Sequence, residues 1–128
     1  MSTSVTYPRL PDTPTSHLPF SPCVRVGDMV FVSGQASVDA TGKIVPDTFD
    51  GEFRRSLENM RTILKAAGCT LADVVSVRSY IRDPAHVPRY NELYREYFSA
   101  PYPARTTITN CLPPTLQFEV ECVAVVRS

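Results

Sequence analysis

The sequence predicts a single α+β domain in which two helices cover one face of a six-stranded sheet. Its 128 residues suit one domain. Apolar periodicities and turn residues give the element order β-β-β-α-β-α-β-β over residues 1–128. Two helices are too few to cover both faces of such a sheet, so one face is expected to be left uncovered in the subunit.

The charge and hydropathy of the chain argue against several classes of protein. It carries 13 basic and 13 acidic residues, so the net charge does not favour nucleic acid or an anionic membrane as the main partner. No apolar run approaches the ~20 residues of a membrane span, and the first residues lack the apolar core of a secretory signal. We therefore expect a cytoplasmic protein.

The four cysteines show neither a CxxC motif nor the spacing of metal ligands. In a reducing compartment such residues act as small buried hydrophobic groups. We therefore expect no metal site and no disulfide among Cys23, Cys69, Cys111 and Cys122.

The N-terminal part is predicted to contain an arm followed by a hairpin. Residues 1–18 are rich in proline, which lacks the N–H donor of a central strand, and should form an extended arm. Gly27 and Asp28 form a two-residue hairpin signal. Gly34 is expected to break the second strand, and a turn then leads to a third. The three strands are predicted at residues 23–26, 29–33 and 43–45.

The first helix is predicted from apolar residues that recur at spacings of three and four. These residues are Phe53, Leu57, Met60, Leu64 and Ala67. Asp47 or Asp50 is expected to cap the start of the helix, because a carboxylate accepts hydrogen bonds from free backbone N–H groups. Gly68 suits the left-handed position just past its end.

The second helix is predicted to start near His86 or Val87, because Pro88 is tolerated only in a first turn. It should end before Pro101. The remaining strands are predicted at residues 73–81, 106–110 and 116–126.

The last strand has one apolar face and one mixed face. Alternate residues from Leu116 to Val126 are apolar and suit a core beneath the helices. The other face carries Glu119 and Glu121 at one end and valines at the other. If this strand neighbours the strand that follows Arg105, an arginine and a glutamate can meet on one face. Apolar residues of the hairpin enlarge this face, so we expect oligomerisation through it.

Several short motifs follow one another between Pro19 and Val126 in a recognisable order. They are Pro19-Phe20-Ser21-Pro22-Cys23-Val24, Phe31-Val32-Ser33-Gly34-Gln35, Leu57-Glu58-Asn59-Met60, Tyr90-Asn91-Glu92-Leu93-Tyr94, Pro103-Ala104-Arg105-Thr106 and Phe118-Glu119-Val120-Glu121. In this order and spacing they resemble the RidA (YjgF-type) reactive intermediate deaminase family.

The resemblance implies a chorismate-mutase-like α+β subunit with a mixed six-stranded sheet. It also implies a barrel-forming homotrimer with clefts between its subunits. The activity it implies is the hydrolysis of enamines and imines, such as 2-aminoacrylate and 2-imino acids, to 2-keto acids and ammonia. Pyridoxal-phosphate-dependent dehydratases produce these reactive compounds, and the deaminase itself uses no cofactor.

The resemblance also assigns a candidate site. Arg105 aligns with the family's substrate arginine, and a guanidinium can bind a carboxylate through two parallel hydrogen bonds. Glu119 aligns with a glutamate that holds or deprotonates a water. Further substrate-binding roles are implied for Phe20, Ser33, Gly34, Asn91 and Thr107.

Residue types alone leave structural alternatives open at these positions. Arg105 can form an ion pair with Glu119 or Glu121, Phe20 can pack in the core, and Thr107 can simply fill a strand. Phe20 stands where many members carry Tyr, and Thr107 where many carry Cys. The second change argues against thiol chemistry at that position, and both leave a shifted substrate preference open.

Two further functions are compatible with the sequence. One is a deaminase for a different enamine such as 2-aminomuconate. The other is a non-enzymatic ligand-binding, partner-binding or chaperone-like homologue, for which Arg105 would be dispensable. Binding to RNA is disfavoured by the balanced charge, since phosphates must be neutralised by basic residues.

Overall fold

A mixed six-stranded sheet with two helices forms the fold in the computed structural model, which describes residues 4–127. This confirms the predicted α+β class. The strands are β1 (Val5–Thr6), β2 (Cys23–Val26), β3 (Met29–Ala36), β4 (Val74–Ile81), β5 (Ala104–Thr109) and β6 (Phe118–Val125), and the helices are α1 (Phe49–Ala66) and α2 (Val87–Tyr97). The strand order is β1-β2-β3-β6-β4-β5. Only the pairing of β4 with β5 is parallel among the described strands.

The sixth strand is not the one that the sequence predicts. Residues 43–45 contribute only an isolated bridge between Val38 and Ile44. Instead, Val5 and Thr6 of the N-terminal arm pair with β2. They precede the first proline of the arm, so their backbone donors are available to the edge of the sheet. The first three residues of the predicted arm lie outside the described residues.

Strand β3 runs through Gly34, which corrects the strand break predicted there. The pairing of β3 with β6 shifts register between Val32 and Gln35. A bulge of this kind adds a residue to one strand and lets the ladder continue beyond it. The strand therefore reaches Ala36.

Helix α1 buries the apolar residues that the sequence predicts, but its N-terminal cap is a different residue. Thr48 caps it, because its hydroxyl accepts a hydrogen bond from the N–H of Gly51 at 3.1 Å. The prediction of Asp47 or Asp50 as the cap was wrong. Gly68 follows the helix with a φ of 81°, in the left-handed region expected of it.

Helix α2 begins at Val87 and has Pro88 in its first turn, as the sequence predicts. Its buried side chains join those of α1 and the sheet in one core. The completely buried side chains of this core include Phe53, Met60, Leu64, Tyr90, Leu93 and Phe118. Each large apolar side chain removed from water in this way contributes about 1.5–3 kcal/mol.

The two faces of the sheet differ as the alternation along β6 predicts. The residues of β6 that face the helices lie in the core: Phe118, Val120, Cys122 and Ala124. On the opposite face, apolar side chains stay exposed by 45%, 43% and 38% at Met29, Phe31 and Ile108. This uncovered apolar face is consistent with association of subunits, and the homotrimer remains a prediction.

Three of the four free cysteines are buried: Cys23, Cys69 and Cys122. Burial raises the pKa of the Cys122 thiol to about 12, and the neighbouring thiols add to the shift. Residues 4–127 contain no group of three or more His, Cys, Asp or Glu side chains placed to hold a metal ion. Neither helix in this part of the chain is long and apolar enough to cross a membrane.

Candidate active site

Arg105 is held against two aromatic rings of helix α2. Its Cζ atom lies 5.0 Å from the ring centre of Tyr90 and 4.8 Å from that of Tyr94. These tyrosines are one helical turn apart, so both rings reach the same cation. No carboxylate within residues 4–127 forms an ion pair with Arg105. A guanidinium stacked on aromatic rings keeps N–H donors at its edge, where a planar anion can bind.

A cleft of about 260 Å³ opens beside this guanidinium, and we call it the arginine cleft. It is lined by Asn91, Tyr94, Arg95, Tyr102, Pro103 and Arg105. The hydroxyl of Tyr94 is buried and has no hydrogen-bond partner among the described residues. The cleft therefore combines two guanidinium groups with amide and hydroxyl groups, a set that suits a small carboxylate.

Glu119 faces away from this cleft. It lies on β6 between Phe118 and Val120, which are both in the core beneath the helices, so its side chain points to the opposite face. Strand β4 also separates β6 from β5, the strand of Arg105. The expectation that Arg105 and Glu119 meet on one face is therefore wrong within one chain.

Glu119 lines a second cleft of about 570 Å³, which we call the glutamate cleft. Phe20, Ser33 and Gly34 line it as well. The Ser33 hydroxyl donates a hydrogen bond to the carbonyl oxygen of Ser21 at 2.5 Å, which ties the segment carrying Phe20 to β3. Phe20 is 49% exposed, so packing in the core does not explain it.

Gly34 brings the backbone of β3 close to the carboxylate of Glu119. A Cβ atom at position 34 would lie 3.2 Å from the carboxyl carbon of Glu119 and 3.3 Å from one of its oxygens. Contacts this short force the neighbouring group to move. The absence of a side chain at Gly34 thus lets the backbone approach the carboxylate closely.

Burial raises the pKa of Glu119, and the neighbouring carboxylate of Glu121 raises it further. Glu121 accepts a hydrogen bond from the Tyr80 hydroxyl and lies 3.6 Å from a guanidinium nitrogen of Arg78. It is therefore not the partner of Arg105. A partly desolvated carboxylate with a raised pKa is better able to accept a proton than an ordinary glutamate.

Thr107 lies two residues beyond Arg105, but its hydroxyl is engaged elsewhere. It donates a hydrogen bond to the Tyr90 hydroxyl at 3.3 Å, and Tyr90 donates to Ser79 Oγ at 2.7 Å. Thr107 does not line the arginine cleft or the glutamate cleft. The predicted contact of Thr107 with substrate stays a prediction. Its observed hydrogen bond helps to hold Tyr90, whose ring lies beneath the guanidinium of Arg105.

The sequence reasoning missed the contribution of Tyr90 and Tyr94 to the site. Their spacing of four residues was the available signal, because it places two aromatic side chains on one face of the helix. An arginine on a neighbouring strand then finds a ready cation–π site.

The fold and its two clefts define a small α+β protein in which an arginine side chain borders one cleft and a glutamate side chain lines the other. Residues 11–126 match the family model described as Endoribonuclease L-PSP. The chain belongs to this family, which is the RidA (YjgF-type) family that its motifs resemble.

Individual relatives are similar over most of their length. The chain is 37% identical over 108 residues to a RutC family protein of Pyrococcus horikoshii, covering 83% of this chain and 86% of the relative. It is 35% identical over 109 residues to the human 2-iminobutanoate/2-iminopropanoate deaminase, covering 84% and 80%. The crystal structure of E. coli TdcF with bound serine matches with a TM-score of 0.83 and 34% identity, covering 96% and 99%.

Proposed function

We propose that the protein is a cofactor-independent deaminase that hydrolyses reactive enamines and 2-imino acids to 2-keto acids and ammonia. The observation that carries the proposal is the position of Arg105 and the absence of an ion-pair partner for it among the described residues. Its guanidinium borders a cleft, is held by two tyrosine rings and forms no ion pair with the described carboxylates. Arg105 is exposed at this cleft, and the two rings hold its guanidinium in one place, so its free N–H donors can bind the carboxylate of a small ligand. The relatives named as deaminases support this reading.

The proposed active site lies between two copies of the chain in a homotrimer. The arginine cleft and the glutamate cleft lie on opposite faces of one sheet and have no lining residue in common, so the sheet separates them within one chain. A cyclic oligomer joins unlike surfaces of neighbouring subunits, so the arginine cleft of one copy can adjoin the glutamate cleft of the next. The uncovered apolar face supplies a surface for such association.

In this site Arg105 binds the substrate carboxylate, and Glu119 acts on water. The water oxygen forms a bond to C2 of the protonated imine while Glu119 accepts a proton from the water. The product of this step is a neutral carbinolamine. Proton transfer from Glu119 to its nitrogen then allows the C–N bond to break. Ammonia leaves with the bonding electrons, and loss of the hydroxyl proton gives the 2-keto acid.

The experiment couples a serine/threonine dehydratase to the protein and follows the formation of keto acid. Two charge-assisted hydrogen bonds at about 1.5–3 kcal/mol each predict that Arg105→Ala lowers kcat/KM by about 10²-fold or more. Arg105→Lys should recover only part of this loss, because an ammonium group lacks the planar pair of donors.

Arg54→Ala is the matched control, since Arg54 is an exposed arginine of helix α1 that pairs with Glu96. It should leave turnover unchanged. The oligomeric mass and circular dichroism of each variant show whether the fold persists. Turnover at the wild-type rate by Arg105→Ala would exclude the proposed site and favour a non-enzymatic role.

A further inference from the structure

The N-terminal arm and the loop after β3 are joined along the glutamate cleft. We call residues 14–20 and 38–44 together the arm–loop wall. The Thr15 N–H donates a hydrogen bond to the carbonyl oxygen of Ala40 at 3.0 Å, and the Thr15 hydroxyl reaches the same oxygen at 3.4 Å. Gly42, with a φ of 87°, packs so closely that a Cβ atom there would lie 2.8 Å from the Thr15 carbonyl oxygen. The two segments therefore form one continuous surface.

The arm is anchored before it reaches this wall. Thr13 is 3% exposed, and its hydroxyl accepts a hydrogen bond from the N–H of Leu10 at 2.9 Å. Its own N–H donates to the carbonyl oxygen of Leu10 at 3.0 Å. Further upstream, β1 pairs with β2. The pairing of β1 with β2 and the burial of Thr13 thus hold the arm to the domain upstream of the wall, and such preorganisation favours ligand binding.

The wall presents apolar side chains to the cleft that contains Glu119. Leu18, Phe20 and Ile44 line this cleft and are 55%, 49% and 37% exposed. Exposed apolar side chains that line one cleft together form a patch of the kind that marks a ligand-binding groove. The cleft has a volume of about 570 Å³. This falls within the roughly 300–1,000 Å³ of pockets that bind ligands much larger than a short imino acid.

We propose that the arm–loop wall selects 2-imino acids, or their enamine tautomers, that carry a bulky apolar side chain. This inference rests on the proposed deaminase function and adds the substrate class to it. The carboxylate and C2 of such a substrate occupy the Arg105 and Glu119 ends of the site, and the side chain lies against Leu18 and Ile44. An apolar pocket typically discriminates by roughly tenfold or more for each methylene that it accommodates.

The test compares two imino acids formed in situ by an L-amino-acid oxidase, one from 2-aminobutyrate and one from leucine. Wild-type protein is expected to show a kcat/KM at least about tenfold higher for the branched imine. In the double variant Leu18→Ala, Ile44→Ala, this ratio is expected to fall to about one. Leu10→Ala is the matched control, because Leu10 is an exposed apolar residue of the arm that does not line the cleft. It should keep the wild-type ratio.

Each other outcome overturns the inference in a distinguishable way. Equal kcat/KM of the wild type on both imines, or a preference that survives in the double variant, overturns selection by the wall. Arg9 also lines the cleft, so a preference for an imine with a distal carboxylate that Arg9→Gln abolishes would replace the apolar substrate by a dicarboxylate. Failure of the folded wild type to hydrolyse any imine would remove the deaminase function itself.

Discussion

Arg105 and Glu119 lie on opposite faces of one sheet, on strands separated by β4. The guanidinium of Arg105 contacts Tyr90 and Tyr94 on the helix side, whereas Glu119 projects from the uncovered side. The proposed active-site residues are therefore divided between two clefts of each chain. If both residues act on one substrate, the carboxylate and the guanidinium come from different copies of the chain.

This arrangement predicts that two inactive variants restore each other. Arg105→Ala keeps the glutamate cleft intact, and Glu119→Gln keeps the arginine cleft intact. In cyclic oligomers assembled at random from equal amounts of both, about a quarter of the clefts between subunits receive Arg105 from one copy and Glu119 from the next. After joint refolding, the mixture should thus recover about a quarter of the wild-type activity, measured as keto acid formed.

The same two variants refolded separately and measured directly after mixing provide the control, because each oligomer is then assembled from one variant only. The double variant Arg105→Ala, Glu119→Gln, refolded with an equal amount of wild type, should also give about a quarter of the wild-type activity, because a quarter of its clefts then join two wild-type copies; a site within one chain would give about half. Activity that stays at the level of the separate variants after joint refolding would mean that each site is built from a single chain.

Replacement of Gly34 by alanine should impair catalysis more than stability. The new Cβ atom would lie 3.2 Å from the carboxyl carbon of Glu119, so the carboxylate must move. We expect kcat to fall by roughly threefold, because the carboxylate must shift by a few tenths of an ångström and the rate depends on the position of a group that acts on the reacting atoms. The free energy of unfolding should change by less than about 1 kcal/mol, since alanine also restricts the unfolded chain. Urea unfolding and steady-state kinetics of the same sample separate the two effects.

Local sequence patterns predicted the faces of the strands but not their order. The alternation along β6 was readable because side chains of a strand point to opposite faces in turn. The position of β4 between β5 and β6 could not be predicted from the sequence, because strand order depends on packing between distant segments. The pair Val5 and Thr6 is too short to show a pattern, and the bulge near Gly34 appears only in the pairing of β3 with β6, which are distant in the sequence.

For the candidate site residues too, the sequence predicts local features, whereas their relative positions depend on the fold. Arg105 and Glu119 could be proposed as site residues from the sequence because their chemistry and motifs are local. Their placement on opposite faces, and the stacking of Arg105 on Tyr90 and Tyr94, required the fold. Helix α1 is capped by Thr48 rather than by an aspartate. Thr48 has the extended backbone conformation of an N-cap residue, and composition alone does not determine which residue adopts it.

The ring of Tyr94 is predicted to position Arg105 for its substrate. Tyr94→Leu removes one of the two rings beneath the guanidinium, and a cation–π contact of about 0.5–2 kcal/mol predicts a rise in KM of roughly 2- to 30-fold. Tyr94→Phe keeps the ring and removes a buried hydroxyl that has no partner among residues 4–127. If the ring alone matters, Tyr94→Phe should keep the wild-type KM.

Steady-state kinetics of both variants distinguish these roles. A loss in Tyr94→Phe as large as that in Tyr94→Leu would indicate instead that the hydroxyl binds the substrate directly. Equal KM values in all three proteins would exclude a positioning role for Tyr94.

The side chain of Thr107 is predicted to be structural rather than catalytic. Its hydroxyl donates to Tyr90 at 3.3 Å, so Thr107→Val should cost about 0.5–1.5 kcal/mol of unfolding free energy. Thr107→Cys keeps a weak donor and should leave kcat within about threefold of the wild type. Thermal unfolding and steady-state kinetics test both expectations. A large gain of activity in Thr107→Cys would show that a thiol at this position takes part in the reaction.

The pH dependence of hydrolysis is predicted to report on Glu119. Burial, and secondly the charge of Glu121, raise the pKa of Glu119, and the proposed mechanism needs its ionised form. Activity should therefore be lost as the pH falls, at a higher pH than the pKa of about 4.3 of an ordinary glutamate would give. Glu121→Gln removes the neighbouring charge and lowers the pKa of Glu119, so the acid limb of the kcat/KM profile should move to lower pH. It should not return fully to the ordinary value, because burial is the larger cause and remains. An acid limb at the same pH in wild type and Glu121→Gln would mean that another group controls the protonation step.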